Sequence, residues 1–456
     1  MISLLTKGRA STLALAMALA TGTAVVATAV IPAEASAQRN RDRDRDATEE
    51  ADGGGYSDEF RAVYVPLDEG LKAEGASVAA LRPQIEALIP LLTTNDEKIA
   101  GGGLIYNAGI SASDRSLQLR GMQFMLASGK IPIEQTGRYN FIAYQLANEQ
   151  NDFATARRYL QGAIQYNFTT DAISVADLKI TMAESFFSSN DLQAGYDYLN
   201  QIIAERKAAG QMVPEQWYRR GVAVSYQNES IPAVYDFASM WVGDYPTSEN
   251  WRETINVTRN LNTFDRTEIL DLFRLSRRVD ALQDESDYDY YVEAADARRL
   301  PREVKDVIEE GTASGVISSD NLFISEALQT ANGRLASDRA DLPALERDAM
   351  ASSAGVRTVL AAGAAFLSYD DYAKAAMFYQ RALGMPGVDM QLALNRLGIA
   401  QVGLGEYAAA RETFGQITGN RMSVAKLWMA YAYQLEANAE PAPAAAPAPA
   451  AAPATM

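Results

Sequence analysis

The chain has 456 residues and a formal net charge of −17, with neither Cys nor His. The missing Cys excludes disulfides, thiolate catalysis and zinc–thiolate sites, and the missing His excludes His-based triads, imidazole metal sites and the usual general base near neutral pH. Acidity of this size argues against nucleic acid and anionic lipid as partners, while a hydrophobic content of 48% is enough for most of the chain to fold.

Residues 1–37 have the pattern of a secretory signal. Lys7 and Arg9 form a basic start, an apolar stretch runs from Leu13 to Ile31, and Ala35-Ser36-Ala37 supplies a small-residue cleavage site. Cleavage is expected between Ala37 and Gln38, which implies a periplasmic or secreted protein. No Cys follows for lipid attachment, and no later stretch approaches the roughly 18 apolar residues of a membrane span, so no stable membrane insertion is expected after cleavage. Residues 38–55 form a polar arm in which Arg39, Arg41, Arg43 and Arg45 are interleaved with Asp42, Asp44 and Asp46. Its near-neutral balance suits a disordered spacer rather than a nucleic-acid-binding arm.

The segment 56–130 is predicted to be helical, with Leu81, Ile85, Leu88 and Ile89 on one face and a degenerate helix pair from Ile105 to Met125. Gly101-Gly102-Gly103 has no preceding strand and no Lys-Ser or Lys-Thr after it, so it is expected to loosen or close a helix approach rather than hold phosphate. Residues 131–250 carry three helix pairs. Asn140, Ala143, Tyr144 and Ala147 precede Phe153, Ala156, Leu160 and Ala163. Met182, Ala183 and Phe186 precede Leu192, Gly195, Leu199 and Ile202. Trp217, Gly221 and Val224 precede Ala233, Phe237 and Met240. The turns Asn151-Asp152 and Asn190-Asp191 stand directly before a second helix, as tight turns and N-caps require.

The segment 251–350 reads as an irregular helical connector. It holds an acidic break from Gln283 to Asp289, expected to be a solvated linker, and a long helix from Asp320 to Met350 bridging two repeat blocks. The segment 351–438 is the most regular. Gly363 recurs as Gly398, Tyr372 as Tyr407 and Ala375 as Ala410, each 35 residues on, and Tyr379 is matched by Phe414. Leu394, Leu397, Gly398 and Gln401 share one helical face, and Tyr407, Ala410, Phe414 and Ile417 share the next. Trp428, Tyr431, Ala432 and Leu435 begin a further helix with no second, in the manner of a terminal cap. Residues 439–456 are nearly all Ala and Pro and are expected to be an extended, disordered tail. No segment predicts a strand, so the body is expected to be all-α.

Leu397-Gly398, Gly405-Glu406-Tyr407 with Ala410, and Phe414 resemble the tetratricopeptide repeat (TPR) family. The resemblance implies a right-handed superhelical solenoid of antiparallel helix pairs, with repeats of about 34 residues. It also implies that the first helices of successive pairs line a concave face. The positions so implied are Phe141, Gln145 and Asn148, then Ile180, Glu184 and Phe187, then Tyr218, Val222 and Tyr226, with Asn395, Ile399 and Val402 in the later block. The first nine combine aromatic, apolar and amide groups suited to an extended peptide or a partner helix.

Signs of catalysis are thin. Paired carboxylates can hydrolyse glycosides without His or Cys, but 58 Asp and Glu make chance pairs plentiful. The expectation is therefore a non-enzymatic scaffold or assembly factor of the bacterial periplasm, in envelope biogenesis or secretion. It would hold a protein or peptide on the concave face and need no cofactor or metal. The alternatives are a structural subunit of an envelope complex and a carboxylate-dependent enzyme acting on envelope polysaccharide.

Overall fold

A computed structural model describes residues 55–439. The predicted signal (1–37), the polar arm up to residue 54 and the Ala/Pro tail from residue 440 lie outside the described residues. Among these the chain is all-α, with twenty α-helices, two short 3-10 helices, one isolated bridge between Thr170 and Ile173, and no strand. No described helix is long and apolar enough to cross a membrane. Two compact units divide between Val213 and Pro214. That boundary falls inside 131–250, which the repeat pattern alone treats as one block, and it follows a turn in which Gly210 has φ 64°.

The first unit holds α1 (Asp58–Lys72), α2 (Val78–Leu88), α3 (Asn95–Ser111), α4 (Arg115–Ala127), α5 (Ile133–Glu149), α6 (Phe153–Gln165), α7 (Val175–Ser188) and α8 (Leu192–Ala208). From α3 onward each helix packs on its neighbours in sequence. The glycine run does close a helix approach. A Cβ on Gly102 would stand 2.8 Å from the Gly121 carbonyl oxygen, and one on Gly121 would stand 2.4 Å from the Tyr106 backbone nitrogen, so α3 and α4 touch backbone to backbone. Glu97 ties the start of this unit together. Its buried carboxylate accepts from the backbone N–H groups of Ser57, Thr93 and Thr94 at 2.9–3.1 Å and from the hydroxyls of Ser57 and Thr93. Burial alone would raise its pKa, but these donors outweigh it and hold the carboxyl far below the usual range.

The second unit holds α9 (Glu215–Gln227), α10 (Ala233–Asp244), α11 (Ser248–Asn260), α12 (Arg266–Arg278), α13 (Glu285–Ala295), α14 (Pro301–Ala313), α15 (Leu322–Met350), α16 (Val356–Ser368), α17 (Tyr372–Leu383), α18 (Met390–Gly403), α19 (Tyr407–Gly415) and α20 (Met422–Asn438). The segment 251–350 is not an irregular connector. Its five helices build the core, and Leu272, Leu275, Phe273 and Leu270 of α12 are fully or almost fully buried. The acidic break is not a linker either. Asp287 accepts from the backbone of Asp284 at the head of α13, and Arg252 pairs with both carboxylates. The long helix α15 is present and packs on α14 and α16.

One turn recurs in both units. Asn151, Asn190, Asp370 and Gly405 have φ of 59°, 60°, 58° and 77°, and the residue after each takes the N-cap position of the next helix, with Asp152 and Asp371 also accepting a capping hydrogen bond. Asn, Asp and Gly tolerate this left-handed conformation best. Ser113 (φ 54°) before the cap Asp114 makes the same turn between α3 and α4, so the degenerate pair shares the device. A packing register recurs as well. Gly221, Gly363 and Gly398 each face the ring found 16 residues later, Phe237, Tyr379 and Phe414, with an added Cβ 2.5, 3.0 and 2.6 Å from it. The smaller residue lets the two helices approach and the ring fills the space beside it.

The last helix does not end the unit as a free cap. Helix α20 packs on α10 and α12 near the beginning of the same unit. Trp428 donates to the Asp271 carbonyl at 2.9 Å, Gln434 donates to the Val242 carbonyl, Lys426 pairs with Asp236, and the rings of Trp251 and Tyr431 meet edge to face at 6.3 Å. Both faces of α20 are thereby used.

Two measurements check these contacts. Gly398→Ala is expected to lower the unfolding free energy by about 1–3 kcal/mol because the Phe414 ring must move. Gly333→Ala, with nothing within 4 Å of the new Cβ, is expected to raise it by about 0.5–1 kcal/mol; urea denaturation reads both. For Glu97 the folded pKa is depressed, so the unfolded state binds the extra proton. Its contribution is complete above the ordinary Glu value of about 4.3 and is lost as pH falls below it. Glu97→Gln should therefore be less stable than the parent at pH 7 and show a shallower loss of stability between about pH 5 and 2.

Candidate functional site

The nine expected groove residues are divided between the two units. Phe141, Gln145 and Asn148 share one face of α5, and Ile180, Glu184 and Phe187 share one face of α7. Tyr218, Val222 and Tyr226 lie on α9 in the second unit. Four of them are core residues rather than groove surface. Phe141 is buried and stacks on Phe168 at 4.8 Å, because the chain after α6 turns back over it. Ile180 and Val222 are buried, and Tyr218 is fully buried with its hydroxyl donating to Asp244. Phe187 is half-buried against α8, where its ring lies over Gly195 and 5.6 Å from Tyr196. Gln145, Asn148, Glu184 and Tyr226 remain partly exposed.

In the later block the three expected positions are covered by the chain itself. Asn395, Ile399 and Val402 are buried, and Asn395 donates to Asp271 of α12 at 3.0 Å. Helix α12 thus takes the position that the resemblance reserves for a partner.

Asp271 is the centre of a buried polar network. Its carboxylate meets Arg274 at 3.0 Å, Arg396 at 3.1 Å and Arg421 at 3.5 Å. Arg274 also forms a two-pronged pair with Glu303, at 2.8 and 2.7 Å, and Tyr291 donates to the same carboxylate at 2.9 Å. Burial would lower the Arg274 pKa, yet Glu303 and Asp271 hold it well above its ordinary value. Burial would raise the Glu303 pKa, yet Arg274 and Tyr291 hold it below the usual carboxylate range. Tyr291 is pushed up by burial and by the Glu303 charge. Arg274 and Glu303 are thus held in their charged forms, and Tyr291 in its protonated form, near neutral pH.

Beside this network lies a cavity of about 340 Å³, between α12, α13, α14, α16, α17 and α18. Arg274, Arg277 and Arg278 line one side. Glu303, Glu310 and Asp370 supply negative charge, Tyr291, Tyr372 and Ser368 supply hydroxyls, and Leu367 and Ile399 form an apolar wall. Arg277 is clamped by both oxygens of Glu310. Arg278 donates to the Tyr372 hydroxyl at 2.5 Å, and that hydroxyl donates to Asp370. The Tyr372 ring is held flat against Gly403, where an added Cβ would come within 2.4 Å. Of the expected groove residues only Ile399 reaches this cavity. The three arginines were legible at i, i+3, i+4 spacing on one helix face, but that segment lacks the repeat pattern and draws no attention as a site.

Asp271→Ala leaves Arg396, whose carboxylate partner is Asp271, with an uncompensated buried charge and is expected to cost about 3–5 kcal/mol. Urea unfolding followed by tryptophan fluorescence should place that loss in the second unit, because all four tryptophans, Trp217, Trp241, Trp251 and Trp428, lie there.

No protein-family model matches the chain, and no curated protein matches it in sequence.

Proposed function

We propose that this chain is an exported, TPR-like scaffold that acts through protein–protein contacts in the bacterial envelope, without catalysis. The observation that carries the reading is the repeated register in which Gly221, Gly363 and Gly398 each pack on a ring 16 residues later. The left-handed turn and cap between paired helices supports it further. Antiparallel helix pairs built this way stack into solenoids, and solenoids mostly work as extended binding surfaces. Arg274 with Glu303 and Arg396 with Asp271 are locked in buried ion pairs, which suits a structural role better than acid–base chemistry. Export rests on the basic, apolar and small-residue pattern of residues 1–37.

The partner face is assigned to Gln145 and Asn148 of α5 with Glu184 of α7, the partly exposed members of the expected groove in the first unit. Partner capture tests it. Crosslinking in the native envelope should trap a discrete protein, and the triple variant Gln145→Ala, Asn148→Ala, Glu184→Ala should reduce its recovery at least about ten-fold, equal to ~1.4 kcal/mol. Unchanged recovery would remove the face assignment, and absence of any specific crosslink would remove the scaffold reading. The intact mass of the envelope-extracted protein should correspond to a chain beginning at Gln38.

A further inference from the structure

Most charged groups at the cavity of the second unit are used up by their neighbours. Arg274 is matched by Glu303 and Asp271, and Arg277 by Glu310. Arg278 and Asp370 are the exceptions: among the described residues neither takes part in an ion pair, and both are exposed. They are opposite charges separated by one hydroxyl, since Arg278 donates to Tyr372 and Tyr372 donates to Asp370. Tyr372 stands between them, its ring lying on Gly403 and beneath the Arg278 guanidinium, 5.4 Å from the ring centre. A guanidinium carries five N–H donors and a carboxylate several acceptor sites, so both retain capacity for a ligand.

The complementary ligand presents a carboxylate to Arg278 and an ammonium to Asp370, a short distance apart. An α-amino acid carries both groups on one carbon. Leu367 and Ile399 on the cavity wall offer an apolar surface to its side chain, and about 340 Å³ is at the small end of the volumes that enclose ligands. We propose that this cavity binds a free α-amino acid with an apolar side chain. The carboxylate would be held by Arg278, the ammonium by Asp370, and the Tyr372 hydroxyl would stand between them. The inference does not depend on the scaffold reading, whose partner face is assigned to other residues, in the first unit.

Isothermal titration of the full chain with L-leucine, L-leucinamide and N-acetyl-L-leucine tests it. Leucine should bind with a Kd of about 1 mM or tighter, and loss of either charged group should weaken binding at least about ten-fold. Arg278→Gln should weaken leucine by a similar factor while leaving leucinamide unchanged. Asp370→Asn should weaken leucine while leaving N-acetyl-leucine unchanged. Both side chains are exposed, so unaltered thermal unfolding would show that the variants remain folded. No saturable leucine binding by about 10 mM overturns the proposal. So does equal affinity for all three compounds, which would mean that the two charges are not read together.

Discussion

The second unit depends on a carboxylate that no water reaches. Asp271 is fully buried on α12, and removing such an ion from water costs several kcal/mol unless it is well partnered. Arg274 comes from the same helix, but Asn395, Arg396 and Arg421 lie 124, 125 and 150 residues away in sequence. The carboxylate is therefore stable only when α12, α18 and the segment before α20 are assembled around it. The Trp428 indole bonded to the Asp271 carbonyl brings α20 to the same point. Hydrophobic burial supplies the bulk of the driving force, while this network specifies which helix lies against which.

Local features were legible in the sequence because they are enforced locally. The turns at Asn151, Asn190, Asp370 and Gly405 require residues that accept positive φ, and the following Asp or Glu begins the helix, so residue type alone marks them. The glycine and ring at a spacing of 16 are visible for a similar reason, because a loop of fixed length sets the register. The role of 251–350 was not legible. Its helix α12 is held by partners more than a hundred residues away, and Asp271 in a helix reads as an exposed residue unless Arg396 and Arg421 are known to meet it. The same blindness affects the groove. Spacing places Phe141, Ile180, Tyr218 and Val222 on the faces of their helices, but it cannot reveal that Phe168 covers Phe141 or that Tyr218 reaches Asp244.

The electrostatics of the cavity are set away from neutrality. Glu303 is held below its ordinary range, and Tyr291 and Tyr372 are held above theirs by burial and neighbouring carboxylates. With no His or Cys in the chain, the lining keeps one charge pattern across the neutral range. Such a lining can recognise charge but is poorly suited to moving protons near neutral pH.

The return of α20 onto α10 and α12 has a consequence for how this chain can change over time. A linear stack of helix pairs makes contacts only between adjacent pairs, so duplication or deletion of a pair at its end leaves the others in register. In the second unit the final helix must land on a particular early helix, with Trp428 reaching Asp271 and Lys426 reaching Asp236. Adding or removing one pair between them would displace every one of these landings at once. Closure thus freezes the number of helices in this unit, and variation that preserves the fold is confined to single substitutions and loop lengths.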